Sequence, residues 1–312
     1  MGAGHGRGLS HGHIAERAED RSRLKLVLLV TTAVIAVEVV GAWLSGSLAL
    51  LADAGHMVTD AAAVALALSA SYVATLPPTS KRTFGLHRAE ILAALVNAML
   101  LLLVCGYLAY AGVRRLFDPV DIDATSMLLF AAIGLAANAA SLAILTRRRN
   151  QSLNMRGAYL EVLSDLLGSV AVIIAGVVVA ISGYTRADSI ASLLIAMLIL
   201  PRSFSLLRGA LDVLLETTPR HVDLDDVRQH LEKVPGVVDV HDLHAWMITS
   251  GMPMLSVHVT VTDQVLAERG VGSMLDEFSD CVASHFEVDH ATFQIEPASH
   301  RAHEHLGEIE HH

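Results

Sequence analysis

Two pairs of residues with metal-ligand chemistry stand out inside apolar segments. His56 and Asp60 are four residues apart, and Glu161 and Asp165 repeat this spacing later in the chain. In a helix, side chains at i and i+4 lie on one face, so each pair directs two ligand groups the same way. Ionisable groups in hydrocarbon are costly unless they face a cavity or a partner. The two pairs therefore predict one shared intramembrane site for a divalent metal ion, as a transporter requires.

The ligand types indicate which ions such a site would accept. One imidazole and three carboxylates can form a tetrahedral shell for Zn²⁺, and they also suit other first-row divalent ions and Cd²⁺. All four groups bind protons too, so metal binding must displace protons, which is the physical basis of metal/proton exchange. The alternative is that the four residues only cap, kink or pair within a structural helix bundle. Their repeated spacing disfavours that alternative.

Other polar residues interrupt the apolar segments. Asp53 lies one helical turn before His56. It can orient the imidazole as a supporting acceptor, or lie solvated at the outer mouth of the site, and the spacing leaves both open. Asn97 and Asn138 favour hydrogen bonds between helices. Glu38 could line the path of the ion.

The composition predicts a membrane protein with a soluble part. Apolar residues make up 53% of the chain and charged residues 17%, whereas an ordinary soluble domain has about 25% charged residues. The net charge of −10 argues against nucleic acid as a partner, because phosphate binding requires a basic surface. Cys105 and Cys281 predict neither a disulfide framework nor a zinc knot.

Six apolar segments, each near the roughly 20 residues that a helix needs to cross a bilayer, predict an all-α membrane bundle. They are Leu24–Trp43, Ser47–Ala74, Glu90–Leu116, Thr125–Leu145, Met155–Ser182 and Ser189–Leu211. The predicted organisation is thus a disordered His/Arg-containing tail at 1–23, a transport domain at 24–211, a soluble domain at 212–297 and a disordered His-rich tail at 298–312.

Basic residues predict the orientation in the membrane. They cluster before the first segment and in the second and fourth links, whereas the middle link is acidic. Arg186 is an exception, because it lies in a link that this orientation places outside, and Arg114 and Arg115 flank another outer link. By the positive-inside rule both termini are cytoplasmic in a multi-pass cell-membrane protein. The basic clusters are Arg17, Arg21, Arg23 and Lys25; Lys81, Arg82 and Arg88; and Arg147, Arg148, Arg149 and Arg156.

This topology makes the second and fifth segments antiparallel, so their ligand pairs can meet at one depth. The two three-segment halves have opposite orientation, as in the inverted repeats of secondary transporters.

After Leu211 the pattern becomes that of a soluble domain. The periodicity predicts an α-β-β-α-β order, which favours a small open sheet with helices on one face. The predicted elements are Leu224–Lys233, Val237–Trp246, Met254–Thr262, Val265–Phe286 and Ala291–Glu296.

This domain holds a second group of ligand types. His241 and His244 lie near the end of the first strand, His258 lies in the next strand, and Gln294 and Glu296 lie in the last. Together they could bind a second metal ion. Surface histidines are common, so spacing alone leaves an ordinary solvated role equally open.

Four stretches taken together carry a resemblance to a known family. They are Ala52–Asp60, Phe84–Glu90, Glu161–Ser169 and His241–Trp246. In combination they resemble the cation diffusion facilitator (CDF) family, in its bacterial zinc/cadmium/cobalt efflux branch. The resemblance runs from about Leu24 to Glu296.

The resemblance implies a homodimeric six-span exporter, not an enzyme, that exchanges cytoplasmic Zn²⁺ for protons by alternating access. Cd²⁺ and Co²⁺ are further implied substrates. It also implies a cytoplasmic metallochaperone-like domain that dimerises and binds zinc as a regulatory ligand.

Particular residues match the family's functional positions. The implied transport site is His56, Asp60, Glu161 and Asp165. The implied cytoplasmic site uses His241, His258 and Glu296, with Gln294 where some relatives carry histidine. Arg88 and Glu216 match a charged pair that locks the dimer near the membrane surface in relatives.

One position departs from the family's pattern. Close relatives usually carry His-x-x-x-Asp on the fifth span, and Glu161 replaces that histidine here. The carboxylate makes the site harder and more negative, which leaves the selectivity among Zn²⁺, Cd²⁺, Co²⁺ and Mn²⁺ open.

Other function classes are less compatible with the sequence. A membrane metalloprotease would carry a His-Glu-x-x-His helix and an ATP-driven pump a P-loop, and the sequence has neither. A metal channel or uniporter, or a membrane metal sensor without proton coupling, stays open as an alternative.

Overall fold

The computed structural model describes residues 29–146, 153–286, 288 and 290–300, without the side chains of residues 153–158 and Glu161. The predicted tail at 1–23, the basic residues at 147–149, and the C-terminal tail from residue 301 onward lie outside the described residues.

Helices occupy all six predicted apolar segments in the described part of the chain. Five of them, α2 to α6, are long and apolar enough to cross a membrane, and the described part of α1 is shorter. The predicted helical membrane domain is confirmed. The helices are α1, described over Leu29–Ser45, α2 at Leu48–Ala74, α3 at Ala89–Phe117, α4 at Ala124–Thr146, α5 at Leu153–Ser182 and α6 at Arg186–Leu214.

Helix α6 begins at Arg186 rather than at the predicted Ser189. The apolar run marks only the part of a helix that suits hydrocarbon, so it misses a polar first turn. That first turn contains Asp188, which is fully buried.

Asp188 caps the N-terminus of α2. Its carboxylate accepts hydrogen bonds from the Ser47 hydroxyl at 2.5 Å, the Leu48 N–H at 2.7 Å and the Ala49 N–H at 3.1 Å. The first N–H groups of a helix have no partner within the helix, so a side chain from α6 supplies what α2 lacks.

Helix α4 is capped at its N-terminus by Asp123, a residue of the link that precedes the helix. Asp123 accepts hydrogen bonds from the Ser126 hydroxyl at 2.5 Å and from the Thr125 and Ser126 N–H groups. These bonds, led by the one from the Ser126 hydroxyl, hold the pKa of Asp123 below its usual value.

The C-terminal part has the predicted α-β-β-α-β order. The sheet order is β1-β2-β3, with β1 and β2 antiparallel and β2 and β3 parallel. The parallel pair needs a crossover connection, which α8 provides. The elements are α7 at Leu224–Glu232, β1 at Val237–Met247, β2 at Pro253–Val261, α8 at Asp263–His285 and β3 at His290–Pro297.

Both helices of this part pack against one face of the sheet. Leu231 of α7 and Phe278 of α8 share a buried apolar cluster with Val240, Val257 and Val259 of the strands. Because side chains alternate along a strand, the residues between these valines point to the opposite face, which the two helices do not cover.

Two local features were not predicted. Helix α8 is interrupted at Gly270, whose φ of 75° suits glycine. Strand β1 contains a bulge. His241 pairs with His258 and His244 pairs with Ser256, so β1 has one more residue than β2 between these two pairs. Within the bulge Asp242 adopts a φ of 48°, a left-handed conformation that aspartate tolerates better than most residues.

The chain forms two compact units. Among the described residues, one unit falls within Met1–Leu66 and Val96–Leu206, and the other within Ala67–Leu95 and Leu207–His312. The predicted intramembrane ligands fall in the first unit and the three-stranded sheet in the second.

The cap on α2 gives a testable expectation. Asp188→Ala leaves two buried N–H groups of α2 without an acceptor, so we expect a loss of about 1–2 kcal/mol in stability. Asp188→Asn keeps one acceptor oxygen and should lose less. Thermal unfolding in detergent measures both, with the exposed Asp118→Ala as a matched control. An unchanged unfolding temperature for Asp188→Ala would contradict the cap.

Candidate metal centres

Helices α2 and α5 meet through a pair of predicted ligands. His56 Nε2 lies 3.1 Å from Asp165 Oδ1, and both residues are buried. The two residues are 109 positions apart in sequence, so the fold brings together ligand pairs that the sequence shows only separately. A neutral imidazole and a carboxylate at this distance can bind one divalent ion together.

Asp60 lies at the edge of the same site. It lines a small cavity of about 100 Å³ together with His56 and Asp165. Its carboxylate is 20% exposed, and its Oδ2 lies 4.0 Å from Arg202 Nη1. The cavity is large enough for a metal ion with a few water molecules, since each water needs about 30 Å³.

Arg202, which was not predicted as a site residue, also belongs to this site. It follows Pro201 within α6 and lines the cavity beside Asp60. Its guanidinium supplies positive charge next to the acidic ligands. The predicted apolar segment Ser189–Leu211 contains two basic residues, Arg202 and Arg208. A charge inside an apolar segment needs a partner, and this was the available signal.

Glu161 can be located only by its backbone. It lies on α5, one turn before Asp165, and its side chain lies outside the described residues. Its membership of the ligand set stays a prediction from the i, i+4 spacing.

Asp53 is fully buried, which excludes the solvated alternative. Its Oδ1 lies 3.8 Å from His56 Nδ1, beyond hydrogen-bonding distance. Its Oδ2 accepts a hydrogen bond from the Ser169 hydroxyl at 3.0 Å, and Ser169 in turn accepts one from the Asn138 amide at 3.3 Å. Asn138 therefore bonds between helices α4 and α5, as predicted for an intramembrane asparagine.

The soluble part contains a second cluster of ligand types. His241, His258 and Glu296 each offer a ligand atom, and these atoms lie within 4.8 Å of one another. His241 pairs with His258 across β1 and β2, so both rings point to the helix-free face. Glu296 is 2% exposed, and its Oε2 accepts no hydrogen bond in the described part of the chain. A buried carboxylate oxygen of this kind fits a cation.

Neighbouring residues support or extend this cluster. Gln294 donates a hydrogen bond from Nε2 to Glu296 Oε1 at 2.7 Å, so it holds the carboxylate. Asp239 Oδ2 lies 3.1 Å from His241 Nδ1. Asp242 Oδ2 lies 3.6 Å from His258 Nε2, and its Oδ1 lies 2.9 Å from His244 Nε2.

Asp239 and Asp242 were not predicted as part of this cluster. Their alternation with histidines in Val238–His244 was the available signal. The bulge that turns Asp242 toward His258 has no signature in a period-two pattern.

Arg88 and Glu216 form an ion pair within one chain. Arg88 Nη2 lies 2.7 Å from Glu216 Oε1, with side chains 40% and 57% exposed. An exposed pair contributes little to stability, so its role in a dimer stays a prediction.

The described helices and the buried ionisable residues between them indicate the class of protein. Five long apolar helices and a shorter one, with buried histidine and carboxylates between them, are typical of a multi-pass membrane protein that handles cations. Residues 24–215 match the family described as the cation efflux transmembrane domain, and residues 219–298 match the cytoplasmic domain of cation efflux proteins. The chain belongs to the cation efflux family, which confirms the resemblance.

Named relatives cover nearly the whole chain. The metal cation efflux system protein CzcD of Cupriavidus metallidurans is 44% identical over 96% of this chain and 91% of the relative. A cadmium, cobalt and zinc/H(+)-K(+) antiporter of Bacillus velezensis is 35% identical over 94% and 93%, respectively. The zinc transporter ZitB of Escherichia coli is 38% identical over 92% of each chain.

Proposed function

We propose that the protein exports Zn²⁺ across a bacterial plasma membrane in exchange for protons, as a homodimer with both termini in the cytoplasm. The observation that carries the proposal is the buried contact between His56 and Asp165 across α2 and α5. The names of the relatives, which include metal efflux, zinc transport and proton antiport, support it.

The ligand set supports zinc as the substrate. His56 supplies a nitrogen ligand, and Asp60, Asp165 and Glu161 supply carboxylates, which together match tetrahedral Zn²⁺ coordination. A dication binding there takes the place of bound protons in balancing the charge of the carboxylates, beside the guanidinium of Arg202. Cd²⁺ and Co²⁺ suit the same groups and are secondary substrates in this proposal.

Proton exchange follows from the same ligands. His56 and the carboxylates must be free of protons to bind metal, so zinc entering from the cytoplasm displaces protons, and protons entering from outside displace zinc. Alternating access then requires α2 and α5 to change their relation to the two sides of the membrane. The gradient of protons drives export.

The soluble cluster is proposed as a regulatory zinc site. His241, His258 and Glu296 would hold the ion, with Gln294 orienting Glu296 and Asp242 available as a further carboxylate. A zinc ion held by residues of β1, β2 and β3 would stabilise the sheet. The stability of the sheet would therefore rise with the cytoplasmic zinc concentration.

The transport site is tested by removing one ligand at a time. We expect Asp60→Ala and Asp165→Ala each to lower zinc flux by more than about 100-fold, because even residues that only support metal ligands are worth about 10–100-fold. The measurement is zinc uptake into proteoliposomes with an internal pH dye. The dimer should still form, and Asp118→Ala serves as the matched control. Full flux by either variant would remove the proposed site.

The same assay separates the alternatives. Zinc movement without proton movement in the wild type would favour a channel or uniporter. No movement of any ion would favour a membrane sensor.

Glu161 gives a prediction about selectivity. Glu161→His introduces a softer nitrogen ligand, so we expect the Cd²⁺/Zn²⁺ flux ratio to rise and the Mn²⁺/Zn²⁺ ratio to fall. Competition experiments in the same vesicles measure both ratios, with wild type as the reference. Unchanged ratios would show that residue 161 does not contact the ion.

The soluble site is tested in an Asp165→Ala background, in which the transport site is disabled. We expect His258→Ala to lower zinc binding by about one ion per chain, since a site built on few ligands rarely survives the loss of one. Equilibrium dialysis measures the number of zinc ions bound per chain, and His221→Ala, at an exposed position, is the control. Equal zinc content in both variants would place the regulatory ion elsewhere.

A further inference from the structure

Glu38 of α1 is the most anomalous side chain in the described membrane helices. It is fully buried, and neither of its carboxyl oxygens has a hydrogen-bond donor in the described part of the chain. It is not one of the proposed metal ligands. A buried acid without a donor in a membrane helix indicates a function that requires it.

A second buried carboxyl group lies beside it. Asp53 of α2 is also fully buried and lies within hydrogen-bonding reach of Glu38. One oxygen of Asp53 accepts the Ser169 hydroxyl, whereas its Oδ1 has no donor in the described part. Within the described residues, the pair thus has three carboxyl oxygens without a hydrogen-bond donor.

Two glycines make room for this pair. A Cβ on Gly134 of α4 would overlap Glu38 Oε1, and a Cβ on Gly168 of α5 would overlap Asp53 Oδ1. Four helices therefore meet around the two carboxyl groups, and two of them lack side chains at the point of contact. The pair occupies a site built for it rather than a chance gap between helices.

The chemistry of the pair favours a proton as its occupant. Two carboxylates can only accept, so they form no hydrogen bond with each other and repel. One proton changes this, because the protonated carboxyl donates its O–H to the other group and one negative charge disappears, as in other carboxyl pairs that share a proton. A metal ion would require further ligands, and the third group at this site, the Ser169 hydroxyl, donates its hydrogen to Asp53.

We propose that Glu38, paired with Asp53, is a proton-binding site of the antiport cycle, separate from the metal ligands. The inference rests on the proposed metal/proton exchange. Proton binding forms one O–H bond on Glu38 and removes one negative charge, and release breaks that bond and restores the charge. The described ionisable groups that act on Glu38 are Asp53 on α2 and Asp165 on α5, and on α4 it faces Gly134, which has no ionisable group.

The location couples the two sites. Asp53 lies between Glu38 and His56, whose Nδ1 is 3.8 Å from Asp53 Oδ1. When Glu38 loses its proton, negative charge appears near the metal site and attracts the dication. When a proton returns, that attraction weakens and the metal is released.

Glu38→Gln tests this assignment. Glutamine keeps the size of the side chain and can donate to Asp53, but it cannot gain or lose a proton. We expect zinc flux down an imposed zinc gradient to persist, while the number of protons moved per zinc falls by about one. Zinc uptake and an internal pH dye in the same proteoliposomes give the ratio. An imposed pH gradient should also drive less zinc movement than in the wild type.

Three further comparisons keep the test decisive. Glu38→Asp keeps an acid and should retain more of the coupling than Glu38→Gln. Gly134→Ala pushes a methyl group into Glu38 and should lower the coupling ratio, which provides the test if Glu38→Gln does not fold. Asp118→Asn removes an exposed acid from the link before α4 and should not reproduce the loss.

The outcomes separate this inference from the function on which it rests. A wild type that moves zinc and protons, with an unchanged ratio in the Glu38 and Gly134 variants, would overturn the proton site alone. A ratio of protons to zinc that changes only when K⁺ is replaced by choline would indicate that the pair binds an alkali cation. That result would also overturn the proton site. A wild type that moves zinc without protons, or no zinc, would refute the proposed exchange itself.

Discussion

Charge buried within the membrane helices constrains this structure more than any other feature. A carboxylate or imidazole removed from water needs a hydrogen-bond donor, an opposite charge or a bound cation. Asp188 finds its donors at the start of α2, Asp165 finds His56, and Asp60 lies near Arg202. Each of these contacts joins two helices, so the requirement for partners also decides which helices lie side by side.

Glu38 and Asp53 differ from those residues because they face each other. Their arrangement is unfavourable with both groups ionised and favourable with one proton between them. A pair of this kind responds to proton supply while the metal ligands respond to zinc. The proposed transporter therefore would not need to make its metal ligands carry every proton of the cycle.

Much of the architecture could be predicted from the sequence, because its signals are local. Apolar runs gave the membrane helices, and alternating residues gave the strands that position His241 and His258. The i, i+4 spacing identified His56 and Asp60 as one pair. Contacts between distant elements left no such signal. Nothing in the pattern placed Arg202 beside Asp60 or Glu38 beside Asp53, and the bulge at Asp242 depends on pairing with β2.

The cap that Asp188 provides has a mechanical consequence. Three hydrogen bonds tie the first turn of α2 to α6, and two of them go to backbone N–H groups, which cannot swing aside as side chains do. A rearrangement that separated these two helices at this end would have to break all three bonds together. A change in the angle between α2 and α6 is therefore least costly when the displacement is small at this end and grows along the two helices. Asp60 would then move more than His56, and Arg202 would move more than the residues near Asp188.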